Sequence, residues 1–394
     1  MAFRHQSTIV CGYTYTLSIS NEGTVYSFGM DSNGGHGHKE SFVFPPREVS
    51  NLNNIQSIDC SDTHTVCLDF EGNVFTFGDN SLGELGIDEE DGRFSFARKL
   101  FNYAKSFAGT YEYIPQKVFL PTINQVSCGI GFTMCLSTDG FVYSFGANKH
   151  GHLGHGNTTN YSYPKRIESL SNIEFISCGG FHTICKSFEN DIYSWGENNY
   201  GQLGIGEINS QHSPFKCVNW PKDIIDIKCG ESHSLVLTLK EEVFSCGYNY
   251  TGQLGRDSID EVYSPDMNTI STISQIIRIE CGSEHSMCIS RNSDLYVFGT
   301  NESLQLGIED NGFIPYPVKY PVNDIIDISS RGFHTFIKTS LNEIFASGDN
   351  ICSQLGVETN DDNIIGRIIQ VFQDNKDIWW SNIIKPSRAK SARN

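Results

Sequence analysis

The sequence predicts an all-β fold, a seven-bladed β-propeller, on three observations. A 14-residue phrase recurs seven times, clearest as Asp191-Ile192-Tyr193-Ser194-Trp195-Gly196-Glu197-Asn198-Asn199-Tyr200-Gly201-Gln202-Leu203-Gly204. Its copies end at Gly37, Gly86, Gly154, Gly204, Gly255, Gly307 and Gly356. A second phrase precedes each copy, as Cys178-Gly179-Gly180-Phe181-His182-Thr183 does, and starts at Cys11, Cys60, Cys128, Cys178, Cys229, Cys281 and Ser330. No sustained apolar stripe of helical period accompanies them. Fixed-period self-similarity marks a repeat architecture.

Each unit reads as β structure. Residues 178–187 are rich in β-branched and aromatic side chains, and Glu189-Asn190-Asp191 reads as a hairpin turn. Ile192 to Gly196 forms the return strand. A third short run, Pro164-Lys165-Arg166-Ile167, follows the glycine-rich loop. Leu203-Gly204 and its equivalents require a tight turn at positive φ, which glycine adopts freely. Pro164, Pro214, Pro265 and Pro317 each follow such a glycine by ten residues and suit a loop or a strand entry.

The starts of the second phrase are spaced 49, 68, 50, 51, 52 and 49 residues apart, so one repeat carries an insertion. That insertion and the C-terminal tail are the only segments that read as helix. Closing seven units into a ring protects strand edges. The chain starts at Ile9-Val10-Cys11 inside a unit and ends with Arg367-Ile368-Ile369-Gln370-Val371, which predicts ring closure by the N- and C-terminal segments, sharing one blade. Residues 1–378 are read as a single propeller with an arm at about 87–113, and 379–394 as a basic tail.

The net charge of −18 repels phosphate backbones, so nucleic acid is disfavoured as the main partner. No apolar run approaches a membrane span, and residues 1–6 lack the apolar core of a secretory signal. A cytoplasmic or nuclear protein, not secreted, is expected. Thirteen cysteines occur without a Cys-x-x-Cys pair, and six share one repeat slot. They read as small buried side chains in a reducing compartment, not as a metal or disulfide framework. No phosphate-binding, zinc-protease or serine-hydrolase motif occurs, and no cofactor or metal is expected.

The phrases Cys-Gly-x-x-His-Thr and aromatic-Gly-x-Asn-x-x-Gly-Gln-Leu-Gly resemble the regulator of chromosome condensation repeat family over residues 9–371. The resemblance implies a seven-bladed propeller. It also implies two kinds of function: guanine-nucleotide exchange on the small GTPase Ran, or partner binding as an adaptor or regulatory module. Exchange in the family uses acidic and His side chains before the conserved Thr. Here that slot offers Asp62 with His64, Glu231 with His233, and Glu284 with His285. Such acids engage the basic nucleotide site of a GTPase and stabilise its nucleotide-free state, with no bond chemistry. The competing reading makes the slot structural. His182 and His334 occupy it too, so five repeats carry a His that can bond a neighbouring blade.

One departure weighs against exchange. The family's exchange factors carry a lengthened wedge hairpin between the two glycines of one copy. Here all seven such segments have the same length, eight residues after the first glycine. The extra residues lie in the 87–113 arm, where Arg93, Phe96, Arg98, Phe101 and Tyr103 make a basic, aromatic stretch suited to a partner. The other reading of this arm is a short helix over a blade edge. The tail, with Lys385, Arg388, Lys390 and Arg393, reads as a solvated terminus. The function expected is a protein-interaction propeller, an adaptor or regulatory scaffold. The alternative is an exchange factor for a Ran-like small GTPase.

Overall fold

A computed structural model describes residues 8–88, 111–256, 262–310 and 312–357, with the backbone of 364–373. Its strands form seven four-stranded antiparallel sheets. Blade 1 holds β1 (Ile9–Cys11), β2 (Tyr15–Ile19), β3 (Val25–Met30) and β4 (Phe42–Glu48). Blade 2 holds β5 (Ile55–Cys60), β6 (His64–Asp69), β7 (Val74–Asp79) and β8 (Tyr111–Val118). Blade 3 holds β9 (Ile123–Gly129), β10 (Phe132–Ser137), β11 (Val142–Gly146) and β12 (Tyr161–Arg166). Blade 4 holds β13 (Ile173–Cys178), β14 (His182–Ser187), β15 (Ile192–Gly196) and β16 (Gln211–Cys217). Blade 5 holds β17 (Ile224–Cys229), β18 (His233–Thr238), β19 (Val243–Tyr248) and β20 (Tyr263–Thr269). Blade 6 holds β21 (Ile276–Cys281), β22 (His285–Ser290), β23 (Leu295–Thr300) and β24 (Phe313–Lys319). Blade 7 holds β25 (Ile325–Arg331), β26 (His334–Thr339), β27 (Glu343–Asp349) and β28 (Ile364–Gln373). The first strands of successive blades touch one another around a closed ring, β25 against β1 included.

The expected fold class holds, with two differences. Each blade has four strands, where the sequence pattern showed three. The innermost strand, such as Ile173–Cys178, ends in the Cys of the phrase and was hidden in the run before it. The termini also do not share a blade. The first and last repeats each complete their own sheet, and 367–371 lies in β28, paired to β27. The ring therefore closes by packing blade 7 on blade 1, where Ile9, Cys11, Phe28, Phe336 and Leu355 form one buried cluster.

Burial follows position in the blade. The second strand is buried on both faces, as His182–Ser187 is throughout, so it reads apolar or small without alternation. The outer strand is the exposed edge, and Pro164, Pro214, Pro265 and Pro317 all lie within it. A proline withholds an N–H where pairing with another chain would begin. Apolar clusters fill the junctions between blades, as Phe132, Leu136, Leu153, Ile173, Ile176 and Trp195 do between blades 3 and 4. All thirteen cysteines are free, and all but Cys229 are fully buried. Among the described residues no helix is long and apolar enough to cross a membrane.

Two glycine slots have specific causes. Gly204 takes φ +63° where the loop turns onto Trp220, whose indole N–H donates to its carbonyl at 2.8 Å. Gly230 precedes a three-residue loop closed by its own N–H on the His233 carbonyl at 2.9 Å. A Cβ there would lie 2.1 Å from His233 Cε1. Gly230→Ala is expected to cost about 2–3 kcal/mol by overpacking. In a His233→Ala background the part of that penalty due to the ring disappears, while the Gly282 carbonyl, 2.8 Å from the added Cβ, still opposes it. Urea denaturation of the two single variants and the double variant measures the coupling.

Candidate functional site

Within each blade the loop between strands one and two shares a face with the glycine-rich loop between strands three and four, because the strands alternate in direction. Every candidate acid and His lies on or just under this face. The His and Thr of Cys-Gly-x-x-His-Thr are adjacent on strand two, so they point to opposite sides of the blade. Each blade thus offers a His to one neighbour and a hydroxyl to the other.

The bonds run around the ring. His64 Nε2 meets Thr133 Oγ1 at 2.9 Å, His182 meets Ser234 Oγ at 2.9 Å, His233 meets Ser286 Oγ at 2.9 Å and His334 meets Thr16 Oγ1 at 3.0 Å. His285 Nε2 meets Ser330 Oγ at 2.6 Å and Thr335 Oγ1 at 3.2 Å, both on blade 7. The same hydroxyls donate to the glycine-rich loop of the blade that supplies the His: Thr133 to the Glu84 carbonyl (3.0 Å), Ser234 to Gln202 (2.9 Å), Ser286 to Gln253 (2.8 Å) and Thr16 to Gln354 (2.8 Å). With the hydroxyl proton committed to a carbonyl, the imidazole must donate through Nε2–H. Nδ1 of His182, His233, His285 and His334 is left without a partner. Burial lowers the pKa of all five rings to about 3, so they are neutral.

Two junctions differ. Tyr15 replaces His in blade 1, and its hydroxyl lies 3.3 Å from Thr65 Oγ1. The longer side chain needs room, and Gly35 supplies it where five other repeats have Gln or Glu and blade 3 has His152; a Cβ there would lie 2.7 Å from the Tyr15 hydroxyl. Phe132 replaces His in blade 3 and packs on His152 at 4.5 Å between centroids.

At the centre of the face is the mouth of the channel lined by the first strands. Arg331 stands where five other repeats have glycine. Its guanidinium leaves blade 7, passes blade 1, and donates to the Cys60 carbonyl (2.5 Å) and the Cys128 carbonyl (2.9 Å) on blades 2 and 3. Asp59 pairs with it at 3.4 Å and accepts the Cys128 N–H at 2.8 Å. Tyr13, edge-on to Phe333 at 5.3 Å, bonds the Ser283 hydroxyl. Burial first, then the Glu231 and Asp62 carboxylates, push its phenol up to about 12. Asp62 is half-buried and its carboxyl is raised by burial, with Arg331 opposing. Glu231 is raised by burial and then by Asp62 and Glu284.

Of the candidates named from sequence, the fold brings Asp62 and Glu231 together with Tyr13 at the mouth. Glu284 also raises Tyr13 and Glu231, and is itself raised by burial and by Glu302. It sits one residue before its His, whereas Asp62 and Glu231 sit two before theirs. His64, His233 and His285 are fully buried in blade junctions, out of reach of a docked protein. The residues Arg93, Phe96, Arg98, Phe101 and Tyr103 lie outside the described residues. β7 ends and β8 begins at this same face, with Asp79 paired to Tyr111. Tyr111 and Tyr113, inside the expected arm, belong to β8. Sequence reasoning missed Arg331 and Tyr13. Arg331 could have been found as the one charged side chain in the glycine slot. Among the described residues no group of three or more His, Cys, Asp or Glu could hold a metal ion.

The RCC1-like domain matches residues 2–329. The chain belongs to the RCC1-like family. It is 28% identical over 399 residues to the ultraviolet-B receptor UVR8 of Arabidopsis thaliana, covering 98% of this chain and 75% of UVR8. It is 27% identical over 282 residues to the Protein RCC2 homolog of Danio rerio, covering 63% of this chain and 47% of that protein. Its fold matches the crystal structure of Prp20p from Saccharomyces cerevisiae with a TM-score of 0.68 at 19% identity, over 82% of this chain and 80% of that one. That structure was described with the binding of Prp20p to Gsp1p and histones.

The buried rings make the propeller acid-sensitive. Each of the five has a folded pKa below its unfolded value, so the unfolded chain takes up protons that the folded chain refuses. Stability is full above pH 6.5 and falls as pH drops toward 3, by about 1.4 kcal/mol per pH unit for each ring. His233→Asn is expected to reduce the slope of unfolding free energy against pH by about one proton between pH 6 and pH 4, read from urea titrations. Glu84 has the opposite sign. It is 2% exposed, fills the slot that is Gln in four other repeats, and burial raises it to about 7. Its contribution is present below the unfolded carboxyl pKa and is lost as pH rises to 7. Glu84→Gln is therefore expected to stabilise the chain at pH 8 by up to about 3 kcal/mol and to change little at pH 4.

Proposed function

We propose that the chain is a protein-interaction propeller, an adaptor or regulatory scaffold, whose contact face is the one bearing the channel mouth. The observation that carries this reading is the division of labour in the repeat. The His of five phrases is consumed in holding blades together, while Asp62, Glu231 and Glu284 stay part-exposed at the mouth face of the ring. β7 ends and β8 begins at the same face, and Arg93, Phe96, Arg98, Phe101 and Tyr103, in the sequence between them, are proposed contacts. The protein binding named for Prp20p supports a protein as the partner. Partners captured by the wild-type chain are expected to be lost from an Asp62→Asn/Glu231→Gln variant of unchanged stability. Quantitative mass spectrometry of the two captures reads this, and a partner set indifferent to the double variant sinks the proposal.

Exchange on a Ran-like GTPase is the second reading, favoured by the meeting of Asp62 and Glu231 at the mouth and by the Gsp1p binding named for Prp20p. The uniform length of the seven glycine-rich segments weighs against it. Release of a labelled guanine nucleotide from a Ran-type GTPase is expected to be unchanged at micromolar chain. A large acceleration that Asp62→Asn abolishes would replace the scaffold reading with exchange.

A further inference from the structure

We propose that the rim of this face over blades 4 to 6 binds an arginine-bearing segment of the protein partner, seated on Tyr200, Tyr248, Tyr250 and Phe313 beside Glu284 and Glu302. The inference rests on the proposed function and gives the partner its chemistry.

The rings form one line across three blades. Tyr200 and Tyr248 lie 4.7 Å apart between centroids, Tyr248 and Tyr250 lie 6.4 Å apart and near parallel at 19°, and Tyr250 meets Phe313 at 5.8 Å. Tyr200 is 38% exposed, Tyr250 60% and Phe313 42%. The line is held in place from below. Gly201, in the same loop as Tyr200, packs on Pro265 of blade 5, and Gly252, in the same loop as Tyr250, packs on Pro315 of blade 6. The Thr251 hydroxyl, next to Tyr250, donates to Gln253 Oε1 at 2.8 Å and lies 3.3 Å from the Glu284 carbonyl, which sets the aromatic loop beside the acidic one.

Charge selects the occupant. The loop of Glu284 lies against that of Tyr250 through Thr251, and after burial the Glu284 carboxylate raises the Tyr248 phenol. Glu302, exposed, raises Glu284 in turn. Neither is ion-paired among the described residues. A cation over these rings gains the attraction of the ring faces and of two unneutralised carboxylates at once. Guanidinium suits the site better than ammonium. It is planar, weakly hydrated, stacks on aromatic rings and still bonds a carboxylate through its edge. The chain's net charge of −18 adds long-range steering of a basic segment.

The test is fluorescence anisotropy of short labelled Arg–Gly, Lys–Gly, Pro–Gly and Glu–Gly repeat peptides with the full chain. Arg–Gly is expected to bind about three- to tenfold more tightly than Lys–Gly. Tyr250→Ala and Glu284→Gln are each expected to weaken it about fivefold, whereas Tyr250→Phe retains it. Ile351→Ser, an exposed change on blade 7, is expected to leave it unchanged. Arg–Gly binding that ignores both Tyr250→Ala and Glu284→Gln overturns the proposal, as does equal binding of Lys–Gly or Pro–Gly. If partner capture still depends on Asp62 and Glu231 while no Arg–Gly peptide binds, this inference fails and the interaction face stands. If Arg–Gly binds at the rim while capture ignores the face, the rim chemistry stands and the proposed function fails.

Discussion

One hydroxyl at each of four blade junctions receives an imidazole N–H and donates to a loop carbonyl, and both partners belong to the preceding blade. That three-centre contact joins the two phrases of the repeat. The His comes from the fifth position of the first phrase, the carbonyl from the residue two before the last glycine of the second (Glu84, Gln202, Gln253 or Gln354), and the hydroxyl from the Thr or Ser after the His slot one repeat later. Apolar packing between sheets is non-directional and would tolerate sliding. A buried relay of hydrogen bonds does not, because a displaced blade would leave polar groups unpaired in a dry junction. The glycine before the loop follows from the ring it must admit, as 2.1 Å at Gly230 makes plain.

The relay also decides what the surface can offer. A neutral imidazole held by its one N–H has no proton to give and no open approach, so five histidines that look like a repeated acid-base group are structural. The groups left at the mouth are those that departed from the repeat. Tyr13, Asp62 and Glu231, in the loop after strand one, and Arg331, at the end of β25, occupy positions where other blades have different side chains, and a ring of sevenfold architecture gains a single asymmetric site from them. Arg331 has a second effect. By bonding carbonyls two and three blades away it crosses the channel mouth and ties β25 to β5 and β9, next to the junction where the chain's ends must close the ring.

Much of this was legible in the residues. The count of blades, the tight turns at Gly204 and its equivalents, the burial of the cysteines and the bonding of His to a neighbouring blade all follow from repeated letters at fixed spacing. The innermost strand was not legible, because residues such as 173–178 carry little that recurs except the final Cys. The expectation of a shared closing blade failed for a related reason. The repeat begins at the inner strand, so its phase already coincides with a whole blade.

The sequence by itself determined the architecture, since seven copies of a strand-and-turn pattern admit few closed arrangements. It also determined the chemistry available, in an acidic chain with aromatic loops. Only the tertiary structure decided which residues share a place. Asp62 and Glu231 are 169 positions apart and three blades apart, yet at the channel mouth the Asp62 carboxylate raises the Glu231 carboxyl. Tyr200, Tyr250 and Phe313 are equally separate along the chain and form one line on the rim. Proximity across a ring is set by its closure, which no local spacing encodes.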